Sequence, residues 1–528
     1  MSPTHFSLDV GGGVLSHVSL VHVALLAASL CVAIPAYTFI YNVYFHPLAG
    51  FPGPALYGGF ECVKVYQQVT GRINERLHEL HEAYGDVVRV APWELSYTSA
   101  GAWHDIAGGK GGGVPTNPAY GLRERDFYGA LGLLWLGSDG HARHRRILSP
   151  AFSDRSLREQ EPVVAKYVDL LVRRMHEKAG SVVDMWAWAN FTTFDIIGDL
   201  TFGEPFNCLE ESRFHPWIFF LFSRLKMMMY GQIVMTMGYL GILMEVLVPR
   251  RLRHEADEHV RCTKDKVDRR RERAAAADDA HRPDFMTHIL KHVTDTLGPG
   301  NDSKAGDGSM TLSELYANCQ TLVMAGSETS ATLISTAVHS LLREPRAMSR
   351  LAAEVRGAFA AEAEITPLTA ASRLPYLHAV ISESLRVRPP LPAGIHRRVG
   401  PGGATVQGHF VPEGTSLQVT HWAAYHSSRN FAEPWAFAPE RWLPGKGDAA
   451  AARFAADNKA VFQPFSVGTR ACLGRGLTYL ETRLALARLV WNFDMELMPE
   501  SEDWDDQRVW MLYEKKPLNV KLTAVRRD

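Results

Sequence analysis

The sequence predicts a mainly α-helical body with small β-sheets, preceded by a single apolar N-terminal helix. Three observations carry this reading. From about residue 61 onward, apolar residues recur mostly at helical spacing. Alternating or strand-rich stretches are short and confined to a few places. Between Asp9 and Glu61 there is no Asp, Glu, Lys or Arg, and the stretch VLSHVSLVHVALLAASLCVAIPAYTFI (14–40) is mostly apolar.

That first run is long enough to span a bilayer as a helix, which takes about 20 residues. Its serines, histidines and Pro35 are neutral and tolerated there. A cleaved signal peptide fits less well, because the run is too long and no basic residue precedes it; a buried soluble helix is the third reading. Basic residues begin only at Lys64, which favours a body on the cytoplasmic side. Residues 1–43 therefore read as a membrane anchor with a short tail. In YFHPLAGFPGP (44–54), Pro47, Pro52 and Pro54 alternate with Gly50 and Gly53, so 44–60 reads as a stiff hinge. Residues 61–528 form the body.

Within the body, INERLHELHEAYG (73–85) has helical spacing and Gly85 as its C-cap. DVVRVAPWELSYT (86–98) alternates as a hairpin would. The glycine-rich AGGKGGG (107–113) lacks both the Gly-Lys-Ser/Thr ending and the preceding strand of a phosphate cradle. Residues 249–279 interleave both signs of charge, the pattern of a long solvated helix rather than a basic arm. A polar linker spans 296–310. After it, 311–345 reads as a long helix, with a capping box from Thr311 and Glu314 and with Pro345 closing it. Two more helical stretches follow, then strands from about Arg397 to Thr420, a cysteine-bearing loop, a final helix and short terminal strands. No internal repeat is visible.

Composition excludes some functions. With 56 basic and 57 acidic residues the net charge is −1, so no basic face for nucleic acid is expected. The six cysteines form no CxxC or zinc spacing and no disulfide framework, which points to a reducing compartment. In a cytosolic body the sequons at Asn190 and Asn301 carry no meaning.

The loop FSVGTRACLG (465–474) contains Phe465, Gly468, Arg470, Cys472 and Gly474 in the pattern FxxGxRxCxG. Gly468 and Gly474 let backbone pass close to something flat and bulky. Amides around Leu473 and Gly474, opening the next helix, would stabilise a thiolate. Arg470 supplies a cation suited to a carboxylate. Thiolate, close approach and anion partner together suit a heme iron held by cysteine, although a buried free thiol is the commoner fate of a single cysteine.

This loop resembles the heme-binding segment of the cytochrome P450 family, and further family segments occur in the same order. ESLR places Glu383 and Arg386 on one helix face, and FAPERW (437–442) adds Arg441. The resemblance implies a buried Glu383–Arg386–Arg441 triad locking the core around heme. AGSETS (325–330) is similar to the family's oxygen-binding segment. By that likeness Gly326 leaves room for dioxygen, Thr329 holds a water near the distal oxygen, and Glu328 delivers protons from solvent. GHARHRRILSPAFS (140–153) is similar to the segment written WxxxR, with His141 at the Trp position and Arg145 at the Arg position; both would contact heme propionates. LPAGIHRRV (391–399) brings Arg397 to a propionate, with Arg398 as rival, because a one-residue slip reverses side-chain direction.

The resemblance covers nearly the whole chain and lies closest to fungal microsomal members. It implies the cytochrome P450 fold behind one transmembrane helix, heme b held by Cys472, and insertion of one atom of O2 into a hydrophobic small molecule of secondary metabolism. It also implies an NADPH-cytochrome P450 reductase as partner, docking on the basic face near Arg475 with Arg470 turned inward. The location implied is the endoplasmic reticulum membrane, single-pass, with the catalytic domain cytoplasmic. Pocket positions would fall in DFYGALGLLWLG (126–137), Leu322, Ala325, PAGI (392–395) and near Trp510. The methionine-rich 219–249 would line a lipid-side entrance or fill core. Two other readings stay open. A heme isomerase or dehydratase would not need the Glu328–Thr329 pair. A membrane protein using Cys472 as a plain nucleophile would need one of 22 histidines as base.

Overall fold

The computed structural model describes residues 20–108, 116–118, 128–218, 250–276, 282–295, 308–444 and 452–526. The glycine-rich 109–113, the methionine-rich 219–249, Asn301 and most of the 296–310 linker lie outside the described residues, as do residues 126–127 and the first residues of the apolar run.

Helices dominate, as the spacing predicts, and one organises the rest. The central helix Leu312–Arg343 is buried along most of its length. Its capping box forms: Thr311 Oγ1 accepts from the Glu314 amide at 3.2 Å, and Glu314 Oε2 accepts from the Thr311 amide at 2.9 Å. Arg143 clamps the same carboxylate with bonds of 2.9 and 2.6 Å. Four buried hydroxyls along this helix, those of Thr321, Ser327, Thr332 and Ser335, are satisfied by donation four residues back. The helix Met185–Phe202, buried nearly all round, packs along it, as does the terminal helix Arg475–Asn492.

Pro345 stops the central helix and also begins the next, Pro345–Ala358. Three helices rather than two follow before the strands. Pro367–Arg373 and Pro375–Val387 also start with proline, whose missing amide costs nothing at a first turn.

The sheets are small. The largest has five strands: Val87–Ala91 and Glu94–Tyr97 form the expected hairpin, Ser416–Val419 lies parallel to the latter, and Arg397–Val399 and Thr116–Pro118 continue antiparallel. A second sheet joins Phe493–Leu497, Asn519–Ala524 and Val182–Asp184. Helix Ile73–Tyr84 ends where Gly85, at φ 106°, donates to the His81 carbonyl.

Two expectations are refined. The helix Arg250–Ala275 is charged but not wholly solvated. Thr263, Val267 and Arg270 are fully buried, and Arg270 Nε bonds Asp284 Oδ2 at 2.8 Å. The segment expected as a hinge is docked. The apolar helix Leu20–Ile40 runs on through Tyr41–Phe45, giving a 25-residue stretch, Val21–Phe45, of hydropathy 2.2, in which the apolar window long enough to cross a membrane is unburied and Asn42 near the end is buried. It is one helix long and apolar enough to cross a membrane. At its C-terminal end Asn42 Nδ2 donates to the Gly59 carbonyl at 2.9 Å and Arg89 Nη1 donates to the Asn42 carbonyl at 2.8 Å, and just beyond it Leu48 is buried. The anchor is thus tied to the five-stranded sheet.

Candidate active site

The Cys472 loop is a tight backbone construction. Ser466 and Gly468 have positive φ, the Cys472 amide donates to the Phe465 carbonyl at 2.8 Å, and the terminal helix starts at Arg475. A Cβ at Gly468 would stand 1.9 Å from the Ala107 carbonyl oxygen. Its close approach is therefore to the end of helix Ala100–Ala107, and not to a bound group as the sequence suggested. At Gly474, by contrast, a Cβ would meet only Cys472 Sγ, at 3.9 Å. Bulk added there would fill the space beside the sulfur. Phe465 packs its ring on Tyr479, with centroids 5.4 Å apart.

Burial pushes the Cys472 thiol up, while the amides of Gly474 and Arg475 and the charge of Arg145 pull it down. The amides that serve the sulfur lie one residue later than expected, because the helix begins at Arg475. Cys472 has exposed surface even though burial dominates its acidity. A side chain with both properties faces an internal recess rather than the outside. The central helix has a matching face: Leu322, Ala325, Gly326 and Thr329 keep accessible surface, while Val323, Ser327, Glu328 and Ser330 are buried. The segment 132–136 ties the two walls together. The Leu133 amide donates to Asn318 Oδ1 of the central helix at 2.9 Å, and Arg470 Nη2 donates to the Leu136 carbonyl at 2.8 Å.

His141, Arg145, Arg397 and Arg470 converge. Burial, followed by Arg470, Arg145 and Arg397, drives the His141 imidazole down to about 3. Burial and Arg470 likewise pull Arg397 down to about 10. Among the described residues no carboxylate pairs with Arg145, Arg397 or Arg470; Arg145 donates instead to the Ala471 carbonyl at 2.6 Å. Of the two rivals Arg397 is buried and shares the cluster, whereas Arg398 is exposed. Three guanidinium groups gathered without an acid among the described residues, in a recess floored by a thiol, fit a dianionic group carrying a metal that takes a thiolate ligand. Heme, with two propionates and an iron, is such a group.

Glu383, Arg386 and Arg441 meet in the core. Glu383 accepts from Arg386 Nε at 2.9 Å and Nη2 at 2.7 Å, from Arg441 Nε at 3.1 Å, from Trp442 Nε1 at 2.8 Å and from the Ala438 amide at 2.9 Å. Burial pushes its carboxyl up, but Arg386 and then Arg441 hold it below the usual range. Asp457, which the sequence reading missed, pairs with Arg441 from the other side. Trp442 was also missed, although its place beside Arg441 in FAPERW was a usable signal.

The AGSETS segment departs from expectation twice. A Cβ at Gly326 would lie 2.6 Å from Ile197 Cδ1, so the absent side chain makes room for the neighbouring helix rather than for dioxygen. Glu328 does not reach solvent. It is buried against Lys515, whose side chain is itself fully buried, and its Oε2 has no partner among the described residues. Thr329 lies on the accessible face and donates to the Ala325 carbonyl at 2.6 Å. Two further groups were missed because nothing in their local sequence marks them. Lys515 is one. Glu481 is the other, its carboxyl raised to about 8 by burial, with the nearby Ser330 hydroxyl opposing the shift.

Comparison with known proteins agrees with this geometry. The family model for Cytochrome P450 matches residues 52–522. Cytochrome P450 monooxygenase atr2 of Stereocaulon alpinum is 41% identical over 515 residues, covering 96% of each chain. Cytochrome P450 monooxygenase lcsI of Purpureocillium lilacinum is 40% identical over 92% of each chain. Cytochrome P450 monooxygenase astA of Talaromyces wortmannii is 40% identical over 94% of this chain and 96% of its own.

Proposed function

The chain belongs to the cytochrome P450 family, whose members bind heme b and work as monooxygenases with O2, a small molecule and a redox partner, and from that premise we propose the roles of its residues and its setting. Cys472 is the iron ligand. Arg145, Arg397, Arg470 and neutral His141 hold the propionates, and the Glu383–Arg386–Arg441 triad fixes the loop that carries the cysteine. The observation that carries this reading is the cluster of uncompensated guanidinium groups around a thiol facing a recess.

Heme b, when bound, supplies activation of dioxygen at a thiolate-held iron, chemistry already known for this family. The chain's own residues do the rest. The Gly474 and Arg475 amides and Arg145 favour the anionic sulfur. Thr329 presents a hydroxyl on the accessible face of the central helix, and Glu328 beside it holds a carboxylate able to take up and release a proton. Leu322 and Ala325 give that face of the central helix apolar surface, which supports a hydrophobic substrate.

The fungal relatives support a place in secondary metabolism. The unburied apolar helix supports a single-pass anchor in the endoplasmic reticulum with the body cytoplasmic. Exposed Arg475, beside the cysteine loop, supports docking of an NADPH-cytochrome P450 reductase. The test is the carbon monoxide difference spectrum of the reduced protein. The red-shifted Soret band of a thiolate-bound heme is expected, and it should vanish in Cys472→Ser. A normal band in that variant would remove Cys472 from the iron.

A further inference from the structure

Glu328 presents a problem that the family resemblance does not answer. A carboxylate that passes protons must be reloaded, yet Glu328 is 1% exposed. Among the described residues its Oε1 is in contact with Lys515 Nζ, its Oε2 has no partner, and the Thr332 hydroxyl lies 3.4 Å from Oε1. No other cation touches it among the described residues. The groups that touch its carboxylate among the described residues are Lys515 and Thr332, so these are the candidates to hand it a proton.

Lys515 is as unusual as its partner. Its side chain is fully buried, and burial pulls its ammonium from the usual lysine range down to about 7, a pull that the Glu328 carboxylate opposes. An ordinary lysine at neutral pH holds its proton too firmly to serve as a donor. One lowered in this way can give a proton up and take another.

Beyond Lys515 lies Tyr513, which borders a cavity. Lys515 Nζ lies 5.9 Å from the centre of the Tyr513 ring. Tyr513 and Thr336 both line a cavity of about 440 Å³ between the C-terminal half of the central helix and segment 505–513. The hydroxyls of both residues are buried without a partner among the described residues. A cavity this large with orphaned polar groups in its wall suits ordered water. Thr336 stands eight residues beyond Glu328 on the same helix, about 12 Å along its axis, with Thr332 midway.

We propose that Lys515 reloads Glu328, passing it a proton on one side and being reprotonated on the other by water in the cavity beside Tyr513. The inference rests on the reading that Glu328 and Thr329 carry protons toward the reacting oxygen. In the step itself the Nζ–H bond breaks as the Oε1–H bond forms, leaving a neutral amine and a neutral carboxylic acid. Hydronium arriving through the cavity from bulk water restores the ammonium. The acid then releases its proton toward the Thr329 face and returns to the carboxylate. No electrons move. Lys515 acts only through Glu328 and is a positioning residue in that sense, one that also supplies the replacement proton.

The deciding comparison is between Lys515→Arg and Lys515→Met in the full-length, heme-loaded protein. Arginine keeps the ion pair but cannot deprotonate; methionine removes both the charge and the proton. With NADPH, reductase and O2 but no added substrate, the enzyme reduces oxygen either to peroxide or to water, and water formation needs the extra protons. The expected result is a rise in the peroxide-to-water ratio of about tenfold or more in Lys515→Arg, Lys515→Met and Glu328→Gln alike. A wild-type ratio in Lys515→Arg, with Glu328→Gln raised, overturns the role of Lys515 and leaves Glu328 in place. A wild-type ratio in Glu328→Gln overturns the underlying reading instead. Infrared difference spectra against Glu328→Gln give a readout free of turnover. A protonated carboxyl band should be absent in wild type and Lys515→Arg and present in Lys515→Met. Its absence from Lys515→Met would show that Lys515 does not keep Glu328 ionised. Should Lys515→Met fail to bind heme, Lys515→Arg alone decides.

Discussion

At the scale of single residues, the propionate cluster makes a prediction that runs in two directions. Arg397 is buried beside Arg470 with no acid to neutralise either, so without heme each destabilises the other. Arg397→Ala should therefore raise the melting temperature of the heme-free protein while lowering heme affinity. Thermal unfolding before and after heme loading, with a heme titration, checks both signs, and a fall in heme-free stability would mean that Arg397 is held by contacts rather than strained by charge. The residues legible in the sequence at this scale were those inside compact patterns: Cys472, Arg470, Glu383, Arg386 and Arg441. Asp457 and Lys515 were not legible. Their partners lie 16 and 187 residues away, so they belong to the site only because folding brings them there. The charge state of His141 was also invisible, because it depends on three arginines converging from three separate segments.

At the scale of elements, the central helix was read almost to the residue, because its capping box and closing proline are local signals. What the sequence could not convey was which face of a helix meets which neighbour. Gly326 is the clearest case. Its pattern suggested space for a ligand, whereas the structure fills that space with Ile197 of the helix Met185–Phe202. Gly326→Ala should destabilise the protein by about 1–3 kcal/mol through overpacking. The added Ile197→Val change, which removes the Cδ1 nearest the new methyl, should recover most of that loss. Urea unfolding of the four proteins in this cycle supplies the coupling. Strictly additive effects would place the new methyl elsewhere. The helix Arg250–Ala275 teaches the same lesson in charge. Its mixed sequence reads as solvated, yet Arg270 is drawn inside because Asp284, beyond the helix end, arrives to pair with it.

At the scale of the whole molecule, acid sensitivity follows from histidines buried in the neutral state. Burial takes His46, His81 and His421 from an ordinary value of 6.5 down to about 4. His81 bridges the Gly85 carbonyl and Ser96 Oγ, both at 2.8 Å, and His421 bonds the Leu391 carbonyl at 2.7 Å; these carbonyls favour the charged ring, but burial outweighs them. Because the histidines' folded values are depressed, the unfolded chain binds more protons than the folded one between pH 6.5 and 4. The stability they confer is complete above pH 6.5 and is lost as pH falls through that window, at up to about 1.4 kcal/mol per pH unit for each histidine. Glu481, raised to about 8, and Asp195, raised to about 6, act in the opposite sense, since they hold protons in the fold that the unfolded chain has released. His426, driven well below its ordinary value by burial, adds to the histidine side and keeps the net sign with acid destabilisation. Urea midpoints should therefore decline steadily from pH 7 to pH 5. In His81→Gln, which cannot take up that proton, the decline should be shallower by about 1.4 kcal/mol per pH unit at most. A pH dependence identical to wild type in that variant would show that His81 is already charged in the fold, and the acid sensitivity would then have to come from other groups.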